Sequence, residues 1–268
     1  MERVLSRENE MAQAGCKELC APSAFDAPFA MAFQPIVDAR GGWVHAYEAL
    51  VRGPEGQGAS SVLQRVNAAN SHAFDQASRI KAIETAARLG LAAGQALLSI
   101  NFMPNAVQDP KTCTRATVSA AQRAGLPLDR LIFEFTEGEP VEYGHLSGIL
   151  ATYKALGLKT AIDDFGAGYS GLSLLAKFQP DLVKLDMELI RDIDSHRVKQ
   201  VLVSAMVKAC VEIGVEVVAE GIETHAESAT LRDMGVDLQQ GFLFARPGFE
   251  SLPEPTWPKR QASKAIAA

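Results

Sequence analysis

Ala30-Met-Ala-Phe-Gln-Pro-Ile-Val37 and Trp43-Val-His-Ala-Tyr-Glu-Ala-Leu-Val51 are two strand-like runs separated only by Asp38-Ala-Arg-Gly-Gly42. That connection is too short for the crossover that joins parallel strands, so the two runs are expected to pair as an antiparallel hairpin. Downstream the rhythm changes. Short apolar runs at Ala96–Asn101, Leu131–Thr136, Lys159–Asp163, Leu182–Asp186, Val215–Glu220 and Leu238–Phe244 alternate with helical stretches. Most are rich in β-branched residues, as strands buried on both faces are. Leu146–Leu156 and Val198–Ile213 carry apolar residues at helical spacing and end at Gly157 and Gly214. Eight strands alternating with helices predict an α/β fold, a (β/α)8 TIM-like barrel modified by one antiparallel strand from the N-terminal hairpin. The barrel is expected over residues 26–250, after a tail or connecting helix (1–25) and before a loose C-terminal tail (251–268) rich in Pro, Lys, Ala and Ser.

Composition narrows the function. The 268 residues suffice for one large core, and 47% hydrophobic with 22% charged residues describes an ordinary globular protein. No apolar run approaches the roughly 20 residues of a membrane span, and the charged start Met1–Glu10 lacks the apolar centre of a signal peptide. A cytoplasmic protein with no membrane partner is the expectation. A net charge of −6 argues against long nucleic acid as a partner, yet permits a small anion where bound cations reverse the local sign. Cys16 and Cys20 have no second pair or nearby histidines and are read as reduced thiols, with a redox or metal role left open.

Polar residues gather where the strands end. Glu48, Asn101, Glu134, Glu137, Asp163, Asp164, Lys184, Asp186, Glu220 and Glu223 close successive strands, and Gln240 lies near the start of the last. In a barrel these ends meet on one rim. So many acids repel unless protonated or bound to cations. None of the five histidines and none of the cysteines lies among them, so the donors are oxygens, which suit Mg²⁺ or Mn²⁺ better than zinc. Adjacent Asp163 and Asp164 could place two ions side by side, lowering the pKa of a shared water. Asp163-Asp-Phe-Gly-Ala-Gly-Tyr-Ser170 puts a glycine-rich loop directly behind them. Singly, each residue has a plainer explanation: a solvated strand-end charge for Glu48, a turn cap for Asn101, an ion pair of Lys184 with Asp186, backbone satisfaction for Gln240. Phe102, Phe133, Phe165 and Phe242 read as core rather than base-stacking surfaces. The conjunction favours a site.

The motifs Gln34-Pro-Ile36, Glu48-Ala-Leu-Val-Arg52, Asn101, Phe133-Glu-Phe-Thr-Glu137, Asp163–Ser170, Val183-Lys-Leu-Asp186, Ala219-Glu-Gly-Ile-Glu223 and Gln240-Gly-Phe242 resemble, in that order, the EAL-domain family of bacterial phosphodiesterases. The resemblance runs from about Ala30 to Pro247. It implies hydrolysis of cyclic di-GMP to linear pGpG with two divalent cations, Mg²⁺ or Mn²⁺, and inhibition by Ca²⁺. It makes Glu48, Asn101, Glu134 and Asp163 ligands of one ion and Asp163, Asp164 and Glu220 ligands of the other. Lys184 would orient the hydrolytic water, with Glu220 as the other proton-handling group. Gln34, Leu50, Arg52, Asp186 and Gln240 would serve the dinucleotide, and Glu137 and Glu223 the glycine-rich loop. It further implies a homodimer, with a regulatory partner protein left open. Ala167, Gly171 and the run Gly53–Gly58 depart from the commoner family pattern, which touches no ligand but leaves the substrate-side loop open.

Two other functions compete. One is a receptor that binds cyclic di-GMP and cleaves it slowly or not at all. The other is an aldolase-type barrel with Lys184 as a Schiff-base nucleophile, which surrounding carboxylates oppose by keeping the amine protonated.

Overall fold

A computed structural model describes residues 25–136, 141–168 and 171–257. Cys16, Cys20 and Glu137 lie outside them.

The hairpin forms as its short connection requires. Strand β1 (Ala30–Asp38) pairs antiparallel with β2 (Trp43–Arg52), placing Gln34 opposite Glu48. Strands β3 (Leu97–Asn101), β4 (Leu131–Thr136), β5 (Lys159–Phe165), β6 (Leu182–Leu185), β7 (Glu216–Ala219) and β8 (Leu238–Gln239) follow β2 as parallel neighbours. β1 closes the ring by pairing antiparallel with β8 as well. It is the one reversed strand.

Helices α1 (Ser60–Leu63), α2 (Ser71–Arg88), α3 (Pro110–Ala124), α4 (Tyr143–Ala155), α5 (Gly171–Lys177), α6 (Met187–Ile190), α7 (Arg197–Glu212) and α8 (His225–Asp233) fill the crossovers. Asp109 starts α3 by accepting the Thr112 N–H, and Pro110 supplies a first helical residue that needs no N–H partner. Among the described residues no helix is long and apolar enough to cross a membrane.

The last barrel strand is shorter than the run Leu238–Phe244 predicts. Extension stops at Gln239, and Phe244 N–H turns back to Gly241 O at 3.1 Å. The cause is a close approach: a Cβ on Gly241 would sit 2.0–2.7 Å from the Ile222 backbone. With β8 so short, part of β1's free edge is covered instead by β9 (Gly248–Phe249), an extra strand outside the ring. Residues 251–257, for which composition predicts a loose end, are tied to the barrel. Tyr47 Oη donates to Pro253 O at 3.1 Å and Thr256 N–H to Phe244 O at 2.8 Å.

Two apolar layers hold the fold. The larger lies between sheet and helices, with Phe33, Phe133, Phe135 and Tyr153 fully enclosed. The smaller fills the barrel's interior with one residue per strand: Ile36, Ala46, Ile132, Ala161, Leu182, Val218 and Leu238, joined by partly buried Leu97 from β3. This is the packed interior expected of such a barrel rather than a pore.

Candidate functional site

Side chains on one face of a strand recur every second residue. Two residues past the inner apolar layer, toward the C-terminal rim, stand Glu48 (β2), Ser99 (β3), Glu134 (β4), Asp163 (β5), Lys184 (β6), Glu220 (after β7) and Gln240 (after β8). On reversed β1 the matching residue is two before Ile36, namely Gln34. A complete polar layer therefore sits directly on a complete apolar one.

Lys184 is its hub. Nζ lies 2.7 Å from Glu220, 2.9 Å from Asp163, 3.2 Å from Glu134 and 3.5 Å from Glu48, with the side chain 2% exposed. Gln240 Nε2 donates to Glu48 at 2.6 Å and to Gln34 at 3.3 Å. Asn101 Nδ2 donates to Glu134 at 3.0 Å, and Ser99 Oγ donates to the same carboxylate at 2.7 Å.

The charges are frustrated. Burial pushes the Glu134 carboxyl well above the usual carboxylate range, with Lys184 only partly offsetting it. Burial likewise pushes Glu220 up to about 8, and burial with neighbouring Asp163 raises Asp164. At Glu48 burial also opposes ionisation, but Lys184 and the Gln240 and Asn101 hydrogen bonds outweigh it and lower the pKa. Burial alone would lower Lys184, yet Glu134, Glu220, Glu48 and Asp163 raise it well above the ordinary lysine value. An enclosed ammonium is no Schiff-base nucleophile, so the aldolase reading loses its support.

Adjacent acids on a regular strand point to opposite faces. Asp163 and Asp164 both line the cavity because β5 breaks its register there, between Ile162 and Phe165, and Asp164 takes φ +52°. Beyond the polar layer a cavity of about 320 Å³ opens to the rim. Gly221, at φ +67°, admits Met187 to its wall, since a Cβ there would come 2.4 Å from Met187 Cβ.

The remaining candidates fall at varying distances from this centre. Leu50 and Arg52 continue the Glu48 face toward the rim, and Arg52 Nη1 donates to Val51 O at 2.7 Å. Asp186 lines the cavity and caps α6 by accepting the Glu188 N–H at 2.8 Å. Glu223 lines it too, but its carboxylate is engaged by Arg191 at 2.8 Å. Phe102, Phe133 and Phe165 are core as expected. Phe242 is not: it is 47% exposed at the cavity wall, with the Arg246 guanidinium 4.1 Å from its ring centroid. Ser99 and Arg191 escaped the reading of strand ends. Counting two residues from Leu97 finds the serine.

The donor set fits divalent cations. Glu48, Glu134 and Asp163 offer oxygens within 4.8 Å of one another, as do Asp163, Asp164 and Glu220. Were all five carboxyls ionised against the one ammonium, the excess of four negative charges would be balanced by two divalent cations. Among the described residues the buried acceptors Asp163 Oδ1 and Gln240 Oε1 have no hydrogen-bond donor. Asp163 Oδ1 is close to Lys184 Nζ but outside hydrogen-bonding geometry. A half-turn of the Asn101 amide would offer its oxygen to the same place.

The EAL domain model matches residues 23–247. A standalone versatile EAL protein from Vibrio cholerae O395, solved in a c-di-GMP-bound form, is 50% identical with a TM-score of 0.83, covering 86% of this chain and 97% of that one. Klebsiella pneumoniae BlrP1, solved as a manganese/cy-diGMP complex at pH 9.0, is 38% identical with a TM-score of 0.81, over 87% of this chain and 59% of that one. The blue light- and temperature-regulated antirepressor BluF of Escherichia coli K12 is 30% identical over 86% of this chain and 57% of its own. The cyclic di-GMP phosphodiesterase PdeR, also of Escherichia coli K12, is 39% identical over 49% of this chain and 20% of its own. The matches thus span little more than half of BluF and a fifth of PdeR. The family match runs unbroken through the hairpin, all eight barrel strands and the turn at Gln240: the chain belongs to the EAL domain family.

Proposed function

We propose that this chain is a phosphodiesterase that adds water across one phosphodiester of cyclic di-GMP and releases linear pGpG. One observation carries the reading: Asp163 is shared by two acid triads at the floor of the cavity. Glu48, Asn101, Glu134 and Asp163 would hold one Mg²⁺ or Mn²⁺, and Asp163, Asp164 and Glu220 the other. When bound, such ions supply Lewis acidity toward phosphate oxygens and make water more acidic.

The chain's own residues do the positioning. Lys184, as an ammonium, donates an N–H to the attacking water and holds its oxygen toward phosphorus. Glu220, 2.7 Å from that amine, is the neighbouring group able to take the proton. Arg52 and the Leu50 backbone bind the dinucleotide at the rim, and Asp186 meets it from the opposite wall. Gln34 and Gln240, joined by a hydrogen bond beside Glu48, serve the dinucleotide as well, while Glu137 and Glu223 support the glycine-rich loop. The P–O3′ bond breaks and the 3′ oxygen leaves with a proton. A homodimer of this chain is part of the proposal.

Incubation with cyclic di-GMP and chromatography of the products tests it. Mg²⁺ or Mn²⁺ should yield pGpG, and chelator should abolish it. Ca²⁺ should bind yet support little turnover, because its looser shell places water poorly. Bound but intact cyclic di-GMP after long incubation in Mn²⁺ would overturn the hydrolase reading in favour of a receptor. The likeness to BluF, named as an antirepressor, is the observation that favours that second reading. The complete acid set favours the first.

A further inference from the structure

We infer that buried Asp75 on α2, itself engaged by Arg79, positions the Asn101–Glu134 side of the site by accepting the Met103 N–H; this rests on the metal reading above. Charged residues four apart on a helix ordinarily face water and contribute little. Here Asp75 is 2% and Arg79 0% exposed, with Arg79 Nη2 2.5 Å from Asp75 Oδ2. Enclosing such a pair costs desolvation, and an apolar pair of like volume often serves stability as well. Burial of the pair is thus weak evidence that it serves stability.

Its contacts point to positioning. Asp75 Oδ1 accepts the Met103 N–H at 2.9 Å, two residues beyond Asn101, where β3 has ended and the sheet offers no partner. Phe102, between them, donates its N–H to Glu134 O at 2.9 Å and packs edge-on against Phe133, Phe135 and Tyr153. The Arg79 guanidinium lies 5.8 Å from the ring centroid of Phe133, the residue before Glu134. One ion pair thus touches the chain just after one candidate ligand and just before another. The following turn is held as well, with His72 Nδ1 2.7 Å from Ala106 O and His145 Nε2 3.1 Å from Pro104 O. Groups that orient ligands in this way typically change metal affinity by about 10- to 100-fold when removed.

Two double variants of similar side-chain size contrast a residue 75 that can accept the Met103 N–H with one that cannot. Asp75→Asn/Arg79→Met and Asp75→Leu/Arg79→Met both remove the charges together, leaving no unpaired ion to unfold the chain. Mn²⁺ binding to the protein alone is read by electron paramagnetic resonance, with thermal unfolding alongside. Asn should keep the affinity within about threefold, and Leu should lose about 10- to 100-fold, at matched melting temperatures. Equal affinity in the two double variants, high or low, overturns the inference. So does fast amide exchange at Met103 in the unsubstituted protein, a reading that needs no variant. Glu48→Ala separates the two levels. If the unsubstituted chain binds Mn²⁺ no better than Glu48→Ala, the metal site falls and this inference with it. If it binds Mn²⁺ and Glu48→Ala does not, the metal site stands whatever the double variants show.

Discussion

The barrel interior holds two adjacent layers built from the same strands, two residues apart, with opposite physical character. The apolar layer of Ile36, Ala46, Ile132, Ala161, Leu182, Val218 and Leu238 is satisfied by packing alone. The polar layer above it encloses Glu48, Glu134, Asp163, Lys184 and Glu220, whose charges cannot all be satisfied by one another. One layer stabilises the fold; the other gathers acids that could hold cations. Local conflict of this kind is where function is expected.

The difference can be broken from either side. Glu48→Ala should lower turnover by at least about 10²-fold, on the scale of losing a major electrostatic group, while leaving the fold intact. Steady-state assays at saturating Mn²⁺ check it, and a near-normal rate would remove Glu48 from the metal site. Ile132→Ala should do the reverse. Stability should fall by about 2–5 kcal/mol in urea titrations, with turnover per folded molecule unchanged.

A pH series sharpens the contrast. Glu220 is raised to about 8 in the folded protein, above its unfolded value. Its protonated form therefore supports the fold at low pH, and that support is lost as pH rises through the folded pKa. In chelator the melting temperature should decline from the ordinary carboxylate range up to about pH 8, and Glu220→Gln should flatten the decline. An unchanged slope would mean Glu220 is ionised without metal. The smallest effect is at the rim. Arg52→Ala should raise KM by about tenfold while kcat changes less, because it binds substrate and transition state alike. A fall confined to kcat would place Arg52 in the transition state.

Much of this is visible in the sequence because period two and an apolar run locate a strand's inner face. Glu134 two residues after Ile132 and Glu220 two after Val218 follow directly. What escaped depends on partners distant in sequence. β8 ends early because the Ile222 backbone, from another loop, presses on Gly241. Two-residue β9 is too short to carry a period. Ser99 looks like a neutral filler within an apolar strand. Asp75 and Arg79 have the spacing of a surface pair, and only the packing of α2 against the aromatic cluster buries them. Phe242 has the composition of core but stands at the cavity wall, since the Gly241 turn carries it outward.

Counting Mn²⁺ per chain by equilibrium dialysis tests the polar layer most directly. Two ions should bind the unsubstituted protein, and Asp163→Ala, which removes the shared ligand, should retain none at concentrations that saturate it. An unsubstituted chain that holds no Mn²⁺, or an Asp163→Ala variant that still holds two, would contradict the account.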